Sequence, residues 1–535
     1  MGTIAEKLTY LNTTKTMLRD SLNKFGSNIL STDTFRSYDT KLNEIYDKLP
    51  KVTGSGSEFT LIPVQNGQVD DFKMNGVDLE QSETPTPDSP QEIKVVEGRQ
   101  VITDKGKNLL NISKNVNGYW YKNGVLTANA DWSYINDFIE VKASTQYTIS
   151  RDSSELNESQ FSIEEFDKNK NYIKQNVLWQ NNTNKYTITT ASNTKYVICN
   201  YRNGYAHTNL QFESGDNRTD YEPYHEPVDY NIDLHGKNVF NLEKYPFTPK
   251  VAYSSTGYQE LNWTGYSGIK DYFPINGNTT YSFSNSTGLD IYYGLVFYDK
   301  NKTIISNITA HTTTFTTPSN CEYIRFSIHT EELPTWVQIE EGSTTTNYEE
   351  YYDYKLAKMP NTDYKNRIYK NNGNWYFEEN VRKYIIDGTE SWTTQSAYSG
   401  YYRYMFVLME NYKNDNLSYG VVGMNSHFIQ RITQPHGDYE YLYLQAVNNN
   451  LLSVYIQIKN LSTIANFKTW LSENNVVVWY PLTNPVTTQI TNTTLIDQLE
   501  AISLHTGTNI ITISNDNNMT PEIEITRLKE LERMS

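Results

Sequence analysis

The stretch Gly106-Lys107-Asn108-Leu109-Leu110-Asn111-Ile112 returns later in the chain as Gly236-Lys237-Asn238-Val239-Phe240-Asn241-Leu242. Four further stretches return in the same order. Tyr147-Thr148-Ile149-Ser150 is matched by Tyr281-Ser282-Phe283-Ser284, and Phe166-Asp167-Lys168-Asn169-Lys170 by Tyr298-Asp299-Lys300-Asn301-Lys302. Tyr186 to Thr190 with Tyr196-Val197-Ile198 is matched by Thr314 to Thr317 with Tyr323-Ile324-Arg325. Leu210-Gln211-Phe212-Glu213-Ser214-Gly215 with Tyr221-Glu222-Pro223-Tyr224 is matched by Val337-Gln338-Ile339-Glu340-Glu341-Gly342 with Tyr348-Glu349-Glu350-Tyr351. Such ordered correspondence defines two copies of one module, 106–228 and 229–357. Each copy is far longer than a solenoid unit, so the copies are expected as tandem domains. Within each, short alternating runs separated by turn residues predict a β-sandwich or jelly roll. In the shared ending, Gln211 and Glu213 (Gln338 and Glu340 in the second copy) alternate with apolar neighbours and face the other side of the strand. Asp167 and Asp299, each followed by Lys-Asn-Lys, read as hairpin tips.

Outward from the repeat, composition supports a mainly β chain. The 535 residues exceed one hydrophobic core. The 44 Tyr, 19 Phe and 9 Trp suit pleated, half-buried surfaces and aromatic contact faces. A net charge of −16, with no run of Lys or Arg, argues against nucleic acid and anionic membrane as partners. The opening MGTIAEKLTYLNTTK has no apolar core before a cleavage site, and no long apolar run follows, so the chain reads as made in a cytoplasm without membrane insertion. Cys199 and Cys321 lack metal or redox spacing and are expected unpaired.

The first 50 residues predict a helical stem. Ile4, Leu8, Leu11, Lys15, Leu18, Leu22 and Phe25 follow a 4-3 spacing, and Phe35, Tyr38, Leu42, Ile45 and Leu49 repeat it before Pro50. Such stripes are buried either in a monomeric helical hairpin or by parallel self-association, with a homotrimer the expected oligomer. Residues 51–57, KVTGSGS, read as a flexible linker. Residues 58–105 read as a small β unit with Asn-Gly turns at Asn66-Gly67 and Asn75-Gly76, closed by an extended strap from Thr84 to Pro90. Residues 358–535 predict a further β-sandwich-like region. It contains a short helix over Ile464–Leu471, a buried strand over Val476–Tyr480, a strand over Asn509–Ser514 and a terminal helix from Ile525 to Met534.

The opening segment with Ser31-Thr32-Asp33-Thr34-Phe35, the Thr84-Pro85-Thr86-Pro87-Asp88-Ser89-Pro90 strap and the Gly106-Lys107-Asn108-Leu109-Leu110-Asn111 start resemble structural proteins of tailed bacteriophages of Gram-positive hosts. The modules ending in Gln211-Phe212-Glu213 and Gln338-Ile339-Glu340 are similar to the carbohydrate-binding-module-like jelly rolls of such proteins. The stretch Phe467 to Leu471, through Trp479-Tyr480-Pro481-Leu482 and Ile490 to Leu499, resembles their C-terminal region. The resemblance implies a virion fibre or baseplate component, often trimeric, that contacts other virion proteins through its stem and holds a host cell-surface glycan. Capsid-attached head fibres and purely structural spacers share these features. Modules of this kind sometimes carry structural Ca²⁺, but no EF-hand-like spacing is present; no cofactor and no metal position is predicted.

No HExxH, Gly-x-Ser-x-Gly or phosphate-gripping loop is present, and the carboxylate neighbours Glu164-Glu165, Glu340-Glu341, Glu349-Glu350 and Asp438-Tyr439-Glu440 read as solvated or structural. A cell-wall depolymerase is therefore the weaker reading, and no catalytic residue is assigned. Sugars are held by aromatic faces with amides and carboxylates at their hydroxyls. Trp120, Trp132, Tyr134 and Trp179 in the first copy, and Tyr253, Tyr258, Trp263 and Tyr266 in the second, are the candidate carbohydrate-binding residues. Core packing is the competing role for each, and a place on a loop favours binding.

Overall fold

A computed structural model describes residues 12–17, 19, 52–54, 58–64, 71–152, 160–178, 184–203, 208–253, 263–408, 422–431, 437–448, 451–505 and 507–526. The chain is mainly β. Residues 12–17 and 19 are helical; every apolar seam residue expected in the stem (Ile4, Leu8, Leu11, Leu18, Leu22, Phe25, Phe35, Tyr38, Leu42, Ile45 and Leu49) lies outside the described residues.

The strand Arg99–Gly106 alternates, with Gln100, Ile102 and Asp104 turned inward. It pairs antiparallel with Val228–Asp233 on one side and with Gly507–Ser514 on the other, and Glu58–Val64 completes this four-stranded sheet. A second sheet has seven strands, in the order Val52–Gly54, Glu522–Thr526, Asp71–Asn75, Arg367–Asn371, Asn374–Ile386, Val476–Gln489 and Met424–Asn425. The two sheets share one core, in which Phe72, Met74, Ile102, Ile232, Ile368, Trp375, Ile511 and Ile523 meet Leu495 and Leu499. These leucines come from the helix Thr493–Glu500, whose first turn is capped by Asn492, accepting from the Leu495 N–H at 2.8 Å. Residues 58–105 and the far end of the chain therefore build a single base, where separate units were expected. The reason is strand pairing: either segment alone would leave unpaired edges and half a core.

Three units are inserted into this base. The first module leaves after Gly106 and returns at Val228, which pairs with Asp104. The second leaves after His235, which bridges Asp353, and the Gly236 N–H donates to the Tyr352 carbonyl at 3.0 Å. The third unit lies between Ile386 and Val476, which are themselves paired. It is a five-stranded sheet, Thr393–Tyr398, Tyr401–Leu408, Leu451–Lys459, Tyr441–Asn448 and Gln430–Arg431, packed against the helix Ile464–Glu473. That helix extends the expected one slightly; Thr463 caps it, and Phe467 and Leu471 are its buried face, Phe467 stacking on Tyr404 at 4.3 Å.

Both modules are jelly-roll-like sandwiches in which strands switch between two sheets in the same order. In the first, Tyr172–Leu178, Phe161–Phe166, Tyr196–Arg202, Val125–Ile135 and Asn115–Lys122 form the larger sheet. Lys185–Thr189, Gln146–Asp152 and Thr208–Ser214 form the smaller one. In the second, Ile304–Ile308, Ile291–Tyr298, Tyr323–Ile328, Ser267–Ile269 and Phe247–Pro249 face Thr314–Thr316, Thr280–Asn285 and Val337–Glu341. Cys199 and Cys321 are buried free thiols in the two cores.

The residues that the copies share make a clasp at the neck of each module. Asn238 uses its whole side chain: Nδ2 donates to the carbonyls of Val337 (2.9 Å) and Glu349 (3.1 Å), and Oδ1 accepts from the N–H groups of Phe240 (3.0 Å) and Ile339 (3.1 Å). Gln338 donates to Glu340 at 2.7 Å and accepts from the Glu349 N–H at 2.7 Å, while Glu340 accepts from the Thr346 N–H and hydroxyl, both at 2.7 Å. Asn108, Gln211, Glu213 and Thr219 repeat the pattern in the first module. Gln211, Glu213, Gln338 and Glu340 do alternate with apolar neighbours, yet all four are buried because the returning chain covers them. The clasp of the first module reaches the base as well. Glu222 accepts from the Thr508 N–H at 2.7 Å and pairs with Lys107 at 2.9 Å.

Local turn chemistry holds in part. Asp167 Oδ1 accepts from the N–H groups of Asn169 and Asn171, both at 2.8 Å, and Asp299 does the same for Asn301 (2.9 Å) and Thr303 (2.8 Å). The proline strap is not extended throughout: Thr86 and Ser89 exchange backbone hydrogen bonds at 3.1 Å around Pro87-Asp88, since proline presets the first central position of a turn. Asn75-Gly76 is no hairpin turn, and glycine is required there because a Cβ would collide with the backbone of Leu356 and Ala357. Asn66-Gly67 and most of the expected terminal helix lie outside the described residues, and Glu522–Thr526, where that helix was to begin, is a strand.

Candidate aromatic binding shelf

The strand Ile291–Tyr298 carries a two-residue irregularity. Ile291 pairs with Ile328 and Leu295 with Phe326, so four positions on one strand span two on the other. Ile291, Leu295 and Phe297 point into the core, while Tyr292 and Tyr293 are half-buried outside it and Gly294 is buried against Tyr253. Tyr293 has φ +56 and Gly294 φ +126. A bulky residue in the left-handed region is uncommon and costs on the order of 1–3 kcal/mol, so the surroundings must hold it. The buried Ser327 hydroxyl donates to the Tyr292 carbonyl at 3.1 Å, and a Cβ at Gly294 would collide with the Tyr253 carbonyl. Bulges of this kind re-aim side chains.

What the bulge re-aims is a surface cluster of rings. Trp263, 41% exposed, lies 5.2 Å from Tyr293 and 5.9 Å from Tyr266 between ring centroids. Tyr266 stacks on His329 at 4.6 Å, and Tyr292 stacks on His311 at 3.8 Å with the planes 10° apart. Two carboxylates frame the cluster. Asp290 lies 3.7 Å from His311, and Glu331 accepts from the Gly265 N–H at 2.8 Å. Partial burial, together with the neighbouring phenols Tyr292 and Tyr293, pushes the Tyr266 hydroxyl above the ordinary phenol range, so it stays a neutral donor and acceptor. Ring centroids only 5.2 to 6.0 Å apart leave no room for a group between Trp263, Tyr266 and Tyr293; a ligand must lie on them.

Of the eight expected binding residues, Trp263 and Tyr266 are brought together here. Trp120, Trp132, Tyr134 and Tyr253 are not available: each is at most 5% exposed. Trp120 and Trp132 stack on one another at 4.6 Å, Tyr134 packs with Phe166 and Ile198, and Tyr253 donates to the Ile269 carbonyl inside the second module. Trp120, Trp132 and Tyr134 are interior because their hairpin folds back over a sheet face, and Tyr253 because it lies beneath Gly294 of the bulged strand. Trp179 and Tyr258 lie outside the described residues. Tyr292, Tyr293, His311 and His329 were missed. Their signal was Gly294, a glycine interrupting an apolar strand, which marks a bulge or a close backbone approach.

Glu164 and Glu165 do point to opposite faces of their strand, and both are buried. Glu165 is fully partnered, accepting from Asn176 at 2.6 Å, the Thr194 hydroxyl at 2.5 Å and the Ala191 N–H at 2.8 Å. Among the described residues no group of three or more His, Cys, Asp or Glu is placed to hold a metal ion, and no helix is long and apolar enough to cross a membrane. No protein-family model, curated protein or solved structure matches the chain.

Proposed function

We propose that this chain is a non-enzymatic attachment protein that holds an uncharged saccharide on the aromatic shelf of its second module. The observation that carries this reading is the bulge at Tyr293-Gly294, where backbone strain is retained to present rings at the surface. The apolar face of a sugar ring would lie on Trp263 and Tyr293, with Asp290 and Glu331 accepting from its hydroxyls. Together with the resemblance of the stem, strap and module starts, this supports an appendage of a tailed-phage virion, on the tail, baseplate or capsid, that engages cell-wall glycan. A homotrimer built through the stem would multiply weak sites, and simultaneous engagement raises avidity by about 10²- to 10⁴-fold where geometry allows. The buried clasps also suit a second reading, a spacer that sets distance and binds only other virion proteins.

A glycan array probed with the full chain separates the two. The expected result is binding to a restricted set of neutral glycans, weakened at least tenfold by Trp263→Ala. Binding that Trp263→Ala leaves intact moves the site off the shelf, and the absence of any glycan binding favours the spacer.

A further inference from the structure

The first module carries a polar patch where the second is apolar. Counting back from the shared turns at Asp167 and Asp299, Glu164 stands at the position of Val296. Val296 packs among Val251, Tyr253 and Tyr298. Glu164 is 0% exposed on the corresponding outward face, across from Gln175 and beside Ser162 and Asn200. Its Oε2 accepts from the Gly124 N–H at 3.0 Å, and its Oε1 from the Ser162 hydroxyl at 3.4 Å; the Ser162 oxygen in turn accepts from Gln175 at 2.9 Å. No partner is charged. Tyr172 faces it, Tyr121 and Tyr134 share its face of the sheet, and Glu165 and Lys174 pair at 3.2 Å on the opposite face. Burying a carboxylate without a cation is costly, and desolvation pushes this acid up from 4.5 to about 7 despite its hydrogen bonds.

What covers Glu164 is a hairpin tip with the build of a hinged element. Lys122 pairs with Val125, and between them Asn123 (φ +51) and Gly124 (φ +77) make a two-residue turn of the primed kind. At its root the ladder breaks: Asn117 pairs with Ser133 and Tyr119 with Ala128, so Gly118 alone (φ +82) stands opposite residues 129–132. The tip is tied to the sheet below it by few polar contacts. Besides Gly124 to Glu164, the Tyr121 N–H donates to Asn200 Oδ1 at 2.8 Å, Asn200 Nδ2 donates back to the Tyr121 carbonyl at 3.4 Å, and the Tyr172 hydroxyl donates to Asn123 Oδ1 at 3.3 Å. Tyr119, Val125 and Leu126 point to solvent.

We propose that the hairpin Tyr119–Ala128 is a flap that closes over Glu164 while its carboxyl is neutral and opens when that carboxyl ionises, because the closed site offers the charge neither water nor a cation, a cost that outweighs the Gly124 N–H bond. Release uncovers Ser162, Glu164, Gln175 and Asn200 together, and it parts Trp120 from Trp132 and Tyr121 from Tyr134 and Phe166. The sign follows from linkage. An acid with a higher pKa in the closed state takes up a proton on closing, so closure is strongest below pH 4.5 and weakens until about pH 7, with no further loss above. Across that window the closed-to-open ratio falls on the order of 100-fold. The flap does not depend on the shelf of the second module binding a glycan.

Amide hydrogen exchange of the full chain, corrected for intrinsic rates, tests it between about pH 5 and pH 8. Protection of 119–128 is expected to fall with rising pH while that of the underlying strand 196–202 holds, and Glu164→Gln is expected to give high protection that pH leaves flat. Protection of 119–128 that ignores pH, that falls in step with 196–202, or that keeps its pH dependence in Glu164→Gln overturns the proposal. Should Glu164→Gln not fold, the unmodified chain decides alone through the first two readouts.

Discussion

Asn238 is the residue on which the second module's closure turns. Its four hydrogen bonds tie the entry segment of the module, its last strand and the returning chain into one knot. Replacing one of the partners of such a network strands the others without water. Asn238→Ala is expected to destabilise the second module by about 3 kcal/mol. A thermal scan of the full chain would show it as an early transition confined to that module, checked by exchange of the 291–298 amides. The sequence marked this residue as shared with Asn108, but not why. Periodicity treats Gln338 and Glu340 as an outward polar face, and only the returning Thr346–Glu349 segment, which covers them, makes them interior. Burial of a polar side chain by a distant loop leaves no local trace.

At the scale of elements, the proposed binding role of the strand Ile291–Tyr298 would set function against stability. Glycine adopts the left-handed conformation that Tyr293 holds under strain. Tyr293→Gly is therefore expected to stabilise the second module by about 1 kcal/mol and to abolish whatever the shelf binds. Unfolding by denaturant and the glycan array measure the two effects on one protein; a variant that loses stability would show that the bulge is held by the tyrosine ring rather than against its preference. Strand existence was legible across both modules because alternating runs and Asp-Lys-Asn-Lys turns are local. The division of aromatics between shelf and core was not. Trp132 and Trp263 sit in equally turn-rich sequence, and one is covered by a folded-back hairpin while the other stands 41% exposed.

At the scale of the molecule, the repeat announced itself and the base did not. Two copies are visible because like is compared with like, whereas the pairing of Phe72 with Ile525 joins strands that share no pattern and stand at opposite ends of the described chain. The inserted arrangement carries its own prediction. Gly106 and Val228 leave and re-enter the base on adjacent strands, so replacing 107–227 with a short Gly-containing turn should leave the base and the other two units folded. The check is exchange protection of Gly507–Ser514, the strand next to the excision. If that protection is lost, the first module is part of the base's stability and not a guest upon it, as the bond from Thr508 to Glu222 would then imply.

The interleaved base also dictates a timetable during synthesis. Domains fold as units while the chain emerges, N-terminal parts first. Here the strands Glu58–Val64 and Asp71–Asn75 wait for partners supplied by residues 507–526, so the three inserted units can mature on the ribosome while the platform that carries them stays open. A chain cut short between the third unit and residue 507 would carry finished modules on an unfinished mount.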